Sequence, residues 1–112
     1  MKKDVVFKTK SGKQYHIVEE NESYICNRNG REIVIPKVWI RALILVYDRM
    51  AATFDAILSA MEHEWYVTIE WRFTNPPLVI PVFGYDTEED CHSQIAKLFG
   101  NGYKVVHHDP VV

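Results

Sequence analysis

The chain has 112 residues, of which 47% are hydrophobic, 25% charged and 12% aromatic. These fractions are those of an ordinary globular domain, so they exclude a disordered chain, a collagen and a coiled-coil rod. The formal net charge of −2 excludes a strong overall attraction to nucleic acid or to anionic lipid.

The sequence shows no pattern of export or membrane insertion. The apolar run at residues 5–7 is shorter than the roughly 7–15 residues of a signal peptide core. The longest charge-free run, residues 73–85, contains three prolines and is shorter than the about 20 residues that cross a bilayer. Cys26 and Cys91 form no CxxC motif, although their spacing leaves a bridge between them open. We therefore expect a cytoplasmic protein with reduced thiols and no membrane partner.

The N-terminal part, residues 1–36, alternates in the manner of an antiparallel β-meander. Val5 and Phe7 share one face of the first strand, and Tyr15 and Ile17 continue the alternation in the second. Ser11-Gly12 lies between two lysines, and this pattern predicts a two-residue turn.

A second hairpin is predicted at Asn29-Gly30, because both residues tolerate the positive φ of a type I′ turn. Closing this turn fixes the register of the two strands around it. The resulting pairs are Arg28 with Arg31, Cys26 with Ile33, and Tyr24 with Ile35. The last two pairs share one face, which predicts a half-buried sheet.

Residues 37–64 contain neither glycine nor proline, and Pro36 suits the start of a helix. Apolar residues recur at three- and four-residue steps and predict one long central helix. They are Ile40, Leu43, Ile44, Tyr47, Met50, Ala51, Phe54, Ile57, Leu58 and Met61. A narrow charged stripe runs through Arg41, Asp48 and Asp55, and the remaining back of the helix is mostly alanine.

Residues 65–112 predict the order strand, strand, helix and strand. In the first strand the inward set is Trp65, Val67, Ile69, Trp71 and Phe73, and the outward set is Tyr66, Thr68, Glu70 and Arg72. Pro81 predicts that the return strand is an edge strand or bulged. The helix is expected to start with Asp86 as its cap, with Glu89 reaching back, and the last strand is expected at residues 103–107.

The length of the central helix predicts self-association. Twenty-eight helical residues span about 42 Å, whereas a domain of about 100 residues is roughly 30–35 Å across. The alanine-lined back permits a close helix contact, so we expect a homodimer in which Ala52, Ala56 and Ala60 contribute to the interface. The alternatives are that the chain covers both faces itself, or that the helix breaks near residues 62–64.

No catalytic motif is present, so we expect a protein without enzymatic activity and without a cofactor. A metal-dependent enzyme is an alternative, in which Cys91 and His92 meet His107 or His108 as zinc ligands. Two observations disfavour this alternative. Cys91 falls on the inner face of its helix, and adjacent histidines of a strand point to opposite faces.

Two surface patterns indicate binding. Tyr66 and Arg72 lie on the outward face of one strand, and this pair of residue types is typical of protein interfaces. Lys8, Lys10 and Lys13 cluster around the first hairpin and favour a nucleic-acid contact as an alternative, although lysine also protects sheet edges from aggregation.

Taken together, the patterns predict one α+β domain over residues 1–112. It comprises an N-terminal antiparallel β-meander (1–36), a long central helix (37–64) and a C-terminal ββαβ unit (65–112). The functional hypothesis is a small cytoplasmic, non-enzymatic protein-binding or regulatory protein that acts as a homodimer through its central helix, with another protein as its target.

Overall fold

The structure is a computed structural model, and it describes residues 2–8, 12, 14–28, 30–99 and 102–110. The elements in chain order are β1 (Lys2–Lys8), β2 (Gln14–Glu20), β3 (Ser23–Arg28), β4 (Arg31–Pro36), α1 (Lys37–Tyr47), α2 (Met50–Glu62), β5 (Trp65–Trp71), β6 (Leu78–Tyr85), α3 (Glu88–Phe99) and β7 (Tyr103–His107). These elements form an α+β fold, as the sequence predicts. The chain divides into two compact units, residues 1–55 and 56–111, and the division falls inside α2.

The first unit contains a four-stranded antiparallel meander in the order β1-β2-β3-β4. The predicted pairs of the second hairpin are confirmed: Arg28 with Arg31, Cys26 with Ile33, and Tyr24 with Ile35. Gly30 has a φ of 78°, as the predicted turn requires, whereas Asn29 lies outside the described residues. Cys26, Ile33 and Ile35 are buried, so the shared face of these pairs is the core face.

The predicted turn of the first hairpin lies almost entirely outside the described residues: of Lys10, Ser11, Gly12 and Lys13 only Gly12 is described, with a φ of 90°. The turn at Ser11-Gly12 therefore stays a prediction. The register of the two strands places Lys8 opposite Gln14, Phe7 opposite Tyr15, and Val5 opposite Ile17. Tyr15 and Ile17 are buried, so the face that they share with Phe7 and Val5 is the core face.

The predicted long central helix is two helices. Asp48 adopts a left-handed conformation, with a φ of 60° and a ψ of 3°, and its backbone N–H donates to Ile44 O at 2.9 Å. This geometry ends α1, and α2 starts two residues later. Aspartate is one of the few residues that adopt this conformation at low cost, and it therefore ends a helix without glycine or proline. The break lies well before residues 62–64, where the sequence led us to consider one.

Polar contacts hold α1 to the meander within the first unit. Lys37 Nζ lies 2.6 Å from Glu19 Oε1, and both side chains are partly buried. The hydrogen bond from Lys37 lowers the pKa of Glu19. The backbone N–H of Lys37 also donates to Glu22 O at 2.8 Å.

Phe54, at the start of α2, completes the core of the first unit. Its ring stacks on Phe7 at 5.0 Å and meets Tyr24 edge-on at the same distance. The buried hydroxyl of Tyr15 donates to the carboxylate of Asp55. Asp55, which the sequence places on an exposed charged stripe, thus accepts a hydrogen bond from a core residue.

The second unit contains a three-stranded antiparallel sheet in the order β6-β5-β7. Both predictions from Pro81 are confirmed: β6 is an edge strand, and its register with β5 shifts between Tyr66 and Val67. The shift leaves Phe83 as the extra residue, with a φ of 52°. Phe73, which the alternation places inside, follows the end of β5 and is 88% exposed. The alternation fails there because the strand has already ended.

Helix α3 covers one face of this sheet through Cys91 and Ile95, which pack against Val67. Its start differs from the prediction by one residue. The hydroxyl of Thr87, and not the carboxylate of Asp86, accepts the backbone N–H of Asp90, at 3.2 Å. The last strand, β7, has the predicted bounds.

Candidate protein-interaction surfaces

Two histidines satisfy backbone carbonyls at the C-terminal end of α2. The last four carbonyls of a helix have no partner within it. Nδ1 of His63 lies 2.8 Å from Ser59 O, and Nε2 of His108 lies 2.7 Å from Ala60 O. The imidazole N–H groups therefore donate to carbonyls that the end of the helix leaves unpaired.

The residues of the metal-site hypothesis have structural partners of their own. His107 lies 2.9 Å from the Glu64 carboxylate, and His92 lies 3.7 Å from that of Glu88. As the sequence predicts, the neighbouring histidines of the last strand turn to opposite faces: His107 contacts Trp65, and His108 contacts Tyr66. Within the described ranges, no three histidine, cysteine, aspartate or glutamate side chains form a cluster suited to a metal ion.

Cys91 is a buried thiol. Its side chain has no exposed surface, and burial raises the pKa of the thiol to about 11. A thiol with this pKa remains protonated at neutral pH, whereas the thiolate is the nucleophile and the metal ligand. Cys91 therefore acts as a small apolar core residue.

The alanines of the predicted dimer interface do not form an exposed face. Ala56 and Ala60 are buried, and Ala52 is half-buried. Because Ala56 and Ala60 are already covered in the single chain, they present no surface to a partner. Sequence periodicity identifies the alanine stripe but does not show which neighbours cover it.

Helix α1 carries a different exposed surface, here named the α1 stripe: Val38, Arg41, Leu45 and Asp48. Val38, Arg41 and Leu45 follow one another at steps of three and four, so they lie along one side of the helix, and Asp48 follows at its C-terminal end. All are exposed, and Leu45 is the most exposed apolar member at 75%. Val46, beside the stripe, is 48% exposed. The stripe combines an exposed apolar centre with one positive and one negative end.

The outer face of the second sheet is covered at one end only. Residues of α2 approach it at Gly84, whose backbone N–H donates to Ser59 Oγ at 3.1 Å. A Cβ atom at Gly84 would lie 2.1 Å from Ser59 O and 2.6 Å from the Cβ of His63. Only glycine permits this approach. At the same end, Tyr66 is half-buried against His108, with ring centroids 4.6 Å apart.

The other end of this face is an open depression of about 530 Å³, here named the outer-face groove. Its lining residues are Thr68, Glu70, Arg72, Val79, Gly102, Tyr103 and Lys104. The two members of the predicted interface pair thus separate: Arg72 lines the groove, and Tyr66 does not. Glu70 and Lys104 also line the groove. Apart from the alternation of their strands, nothing in the sequence marks these two residues as binding residues.

The lysine cluster of the first hairpin is described only in part. Lys8 is exposed at the end of β1, whereas Lys10 and Lys13 lie outside the described residues. The nucleic-acid alternative therefore remains a prediction.

Comparisons with protein-family models, curated proteins and solved structures found no match for this chain. Among the described helices, none is both long enough and apolar enough to cross a membrane. The α1 stripe and the outer-face groove are therefore the features from which a function can be proposed.

Proposed function

We propose that this chain is a cytoplasmic, non-enzymatic protein-binding protein that acts as a homodimer through α1. The observation that carries the proposal is the exposure of Leu45, 75%, at the centre of a helix face that also exposes Val38 and Val46. An exposed apolar patch with a polar rim is typical of a protein interface. Both cysteines are buried, and reduced thiols of this kind are typical of a cytoplasmic protein.

The charges of the α1 stripe are self-complementary. In a two-fold dimer whose axis is perpendicular to α1, the helix meets itself in antiparallel orientation. If the axis passes between Ile44 and Leu45, Arg41 of each chain faces Asp48 of the other, and the two Leu45 side chains meet beside the axis. One apolar contact and two ion pairs then form together, with Arg41 placed between Asp48 of the second chain and Glu22 of its own chain, whose Oε2 lies 3.2 Å from Arg41 Nη2.

The proposed dimer does not depend on an overlong central helix, because the structure has two shorter helices. Helices of 11 and 13 residues are about 16 and 20 Å long, so neither outreaches a domain of this size. The proposed interface accordingly lies on α1 alone, and the alanines of α2 are not part of it.

The test is the replacement Leu45→Glu, with Val34→Glu as the matched control. Val34 is 53% exposed on β4, away from the stripe, so its replacement introduces the same charge elsewhere in the first unit. We expect the wild type and Val34→Glu to sediment as dimers at tens of micromolar, and Leu45→Glu to sediment as a monomer. Burial of one leucine contributes about 1.5–3 kcal/mol. Loss of both leucines therefore raises the dissociation constant of the dimer by roughly 100-fold or more. A wild type that remains monomeric, or a dimer that tolerates Leu45→Glu, contradicts the proposal.

A further inference from the structure

The outer-face groove concentrates positive charge in an acidic part of the chain. Residues 65–112 contain six acidic and three basic side chains. Two of the three basic ones, Arg72 and Lys104, line the groove, with Glu70 as its one acidic lining residue. The groove is therefore net positive, whereas the segment that builds it is net negative.

Arg72 is oriented for further hydrogen bonding. Its Nε donates to Glu70 Oε1 at 2.9 Å, and the side chain is 81% exposed. A guanidinium has five N–H donors in a planar fork, so a bond through Nε leaves the donors on the Nη atoms available to a ligand. Such a fork suits a carboxylate, which accepts two parallel hydrogen bonds.

The second cation lies at a defined distance along the sheet. Lys104 pairs with Thr68 in the register of β5 and β7. Arg72 is four residues beyond Thr68 and directly follows the end of β5, so the two positions are at most about 13 Å apart. Glu70 lies between them and accepts the hydrogen bond from Arg72 Nε. An extended ligand over this face thus meets Lys104 of β7 at one end and Arg72, paired with Glu70, at the other.

We infer that the outer-face groove binds an extended acidic peptide segment of a partner protein, with carboxylates at positions i and i+4. Both carboxylates then project to one side of the peptide, because side chains of an extended chain alternate. The residue at i+2 faces Glu70 and is best a neutral hydrogen-bond donor. The exposed side chain of Val79 provides an apolar wall beside this track. The inference rests on the proposed protein-binding function but uses a surface other than the α1 stripe.

The test uses fluorescence anisotropy with labelled, end-capped nine-residue peptides. One peptide has two aspartates four residues apart and a threonine midway, and the second has the same composition with the aspartates three residues apart. A third has lysines in place of the aspartates, and a single-stranded oligonucleotide serves as a competitor. We expect the first peptide to bind most tightly. We expect Arg72→Gln and Lys104→Gln each to weaken it by roughly three- to fivefold, and the exposed control Arg31→Gln to have no effect.

Several outcomes overturn the inference. These are equal binding of the two acidic peptides, binding of the lysine peptide at least as tight, affinities unchanged by Arg72→Gln and Lys104→Gln, displacement by the oligonucleotide at lower concentration, and no binding at all. Repeating the titration in the Leu45→Glu background separates this inference from the proposed dimer. Retained peptide binding by a monomer supports the groove and is independent of the α1 stripe.

Discussion

The histidines and the cysteine that suggest chemistry have structural roles at the residue scale. His63 and His108 donate to carbonyls of the last turn of α2, and Cys91 fills the space between α3 and the second sheet. The sequence predicts the burial of Cys91 from helical spacing. It does not predict the bond from His108 to Ala60 O, since these residues lie 48 positions apart.

Stability at alkaline pH is expected to depend on Cys91. Burial raises the pKa of this thiol from 9.0 to about 11 in the folded protein. At a pH between these two pKa values, the thiol of the unfolded chain loses its proton while that of the folded chain retains it. Unfolding therefore releases a proton, and a rise in pH favours unfolding. Urea unfolding at pH 8 and pH 10 should therefore show a loss of stability with pH. The pKa of Tyr85 is raised by burial as well, and its ionisation adds to the loss.

The variant Cys91→Ala isolates the contribution of the thiol. We expect it to be less stable at pH 8, because it leaves space in the core. The further loss between pH 8 and pH 10 should be smaller in the variant than in the wild type. An equal loss in both proteins would show that Cys91 does not contribute.

At the scale of elements, the strands are predicted more accurately than the helices. The Asn29-Gly30 motif fixes a register, and the register observed is the same. The helix break at Asp48 has no such signal, because aspartate occurs on exposed helix faces as well as at helix ends. In the first hairpin the strands place Phe7 opposite Tyr15 and Val5 opposite Ile17, but the residues around the predicted Ser11-Gly12 turn lie outside the described ones.

The break between α1 and α2 is expected to depend on the conformation of Asp48. A β-branched residue is disfavoured at a φ of 60°, and the left-handed conformation costs about 1–2 kcal/mol for an ordinary residue. We expect Asp48→Val to lower the free energy of unfolding by about this amount, and Asp48→Asn to change it little. Denaturant unfolding in the Leu45→Glu background excludes effects on self-association. Equal stability of the two variants would contradict the role of Asp48 as the end of α1.

At the scale of the whole chain, composition and periodicity suffice for the α+β class and the order of its elements. They do not suffice for the surfaces. Ala56 and Ala60 have the spacing of an interface but are buried, whereas Leu45 is exposed. Which apolar residues remain uncovered is decided by tertiary packing, and the sequence pattern does not encode it locally.

Charge-swapped variants test the proposed dimer most directly, because they probe which residues meet across it. In Arg41→Glu, the new glutamate faces Asp48 of the second chain, and in Asp48→Arg, the new arginine faces Arg41. Since Asp48 also ends α1, Asp48→Asn, which tolerates the same conformation without the charge, is the control for the helix end. Each variant alone should therefore be mainly monomeric. In an equimolar mixture, both ion pairs between unlike chains are attractive, so native mass spectrometry should detect the heterodimer in excess over either homodimer. Two variants that dimerise alone as well as the wild type, or a mixture that stays monomeric while the wild type dimerises, would contradict the α1 interface.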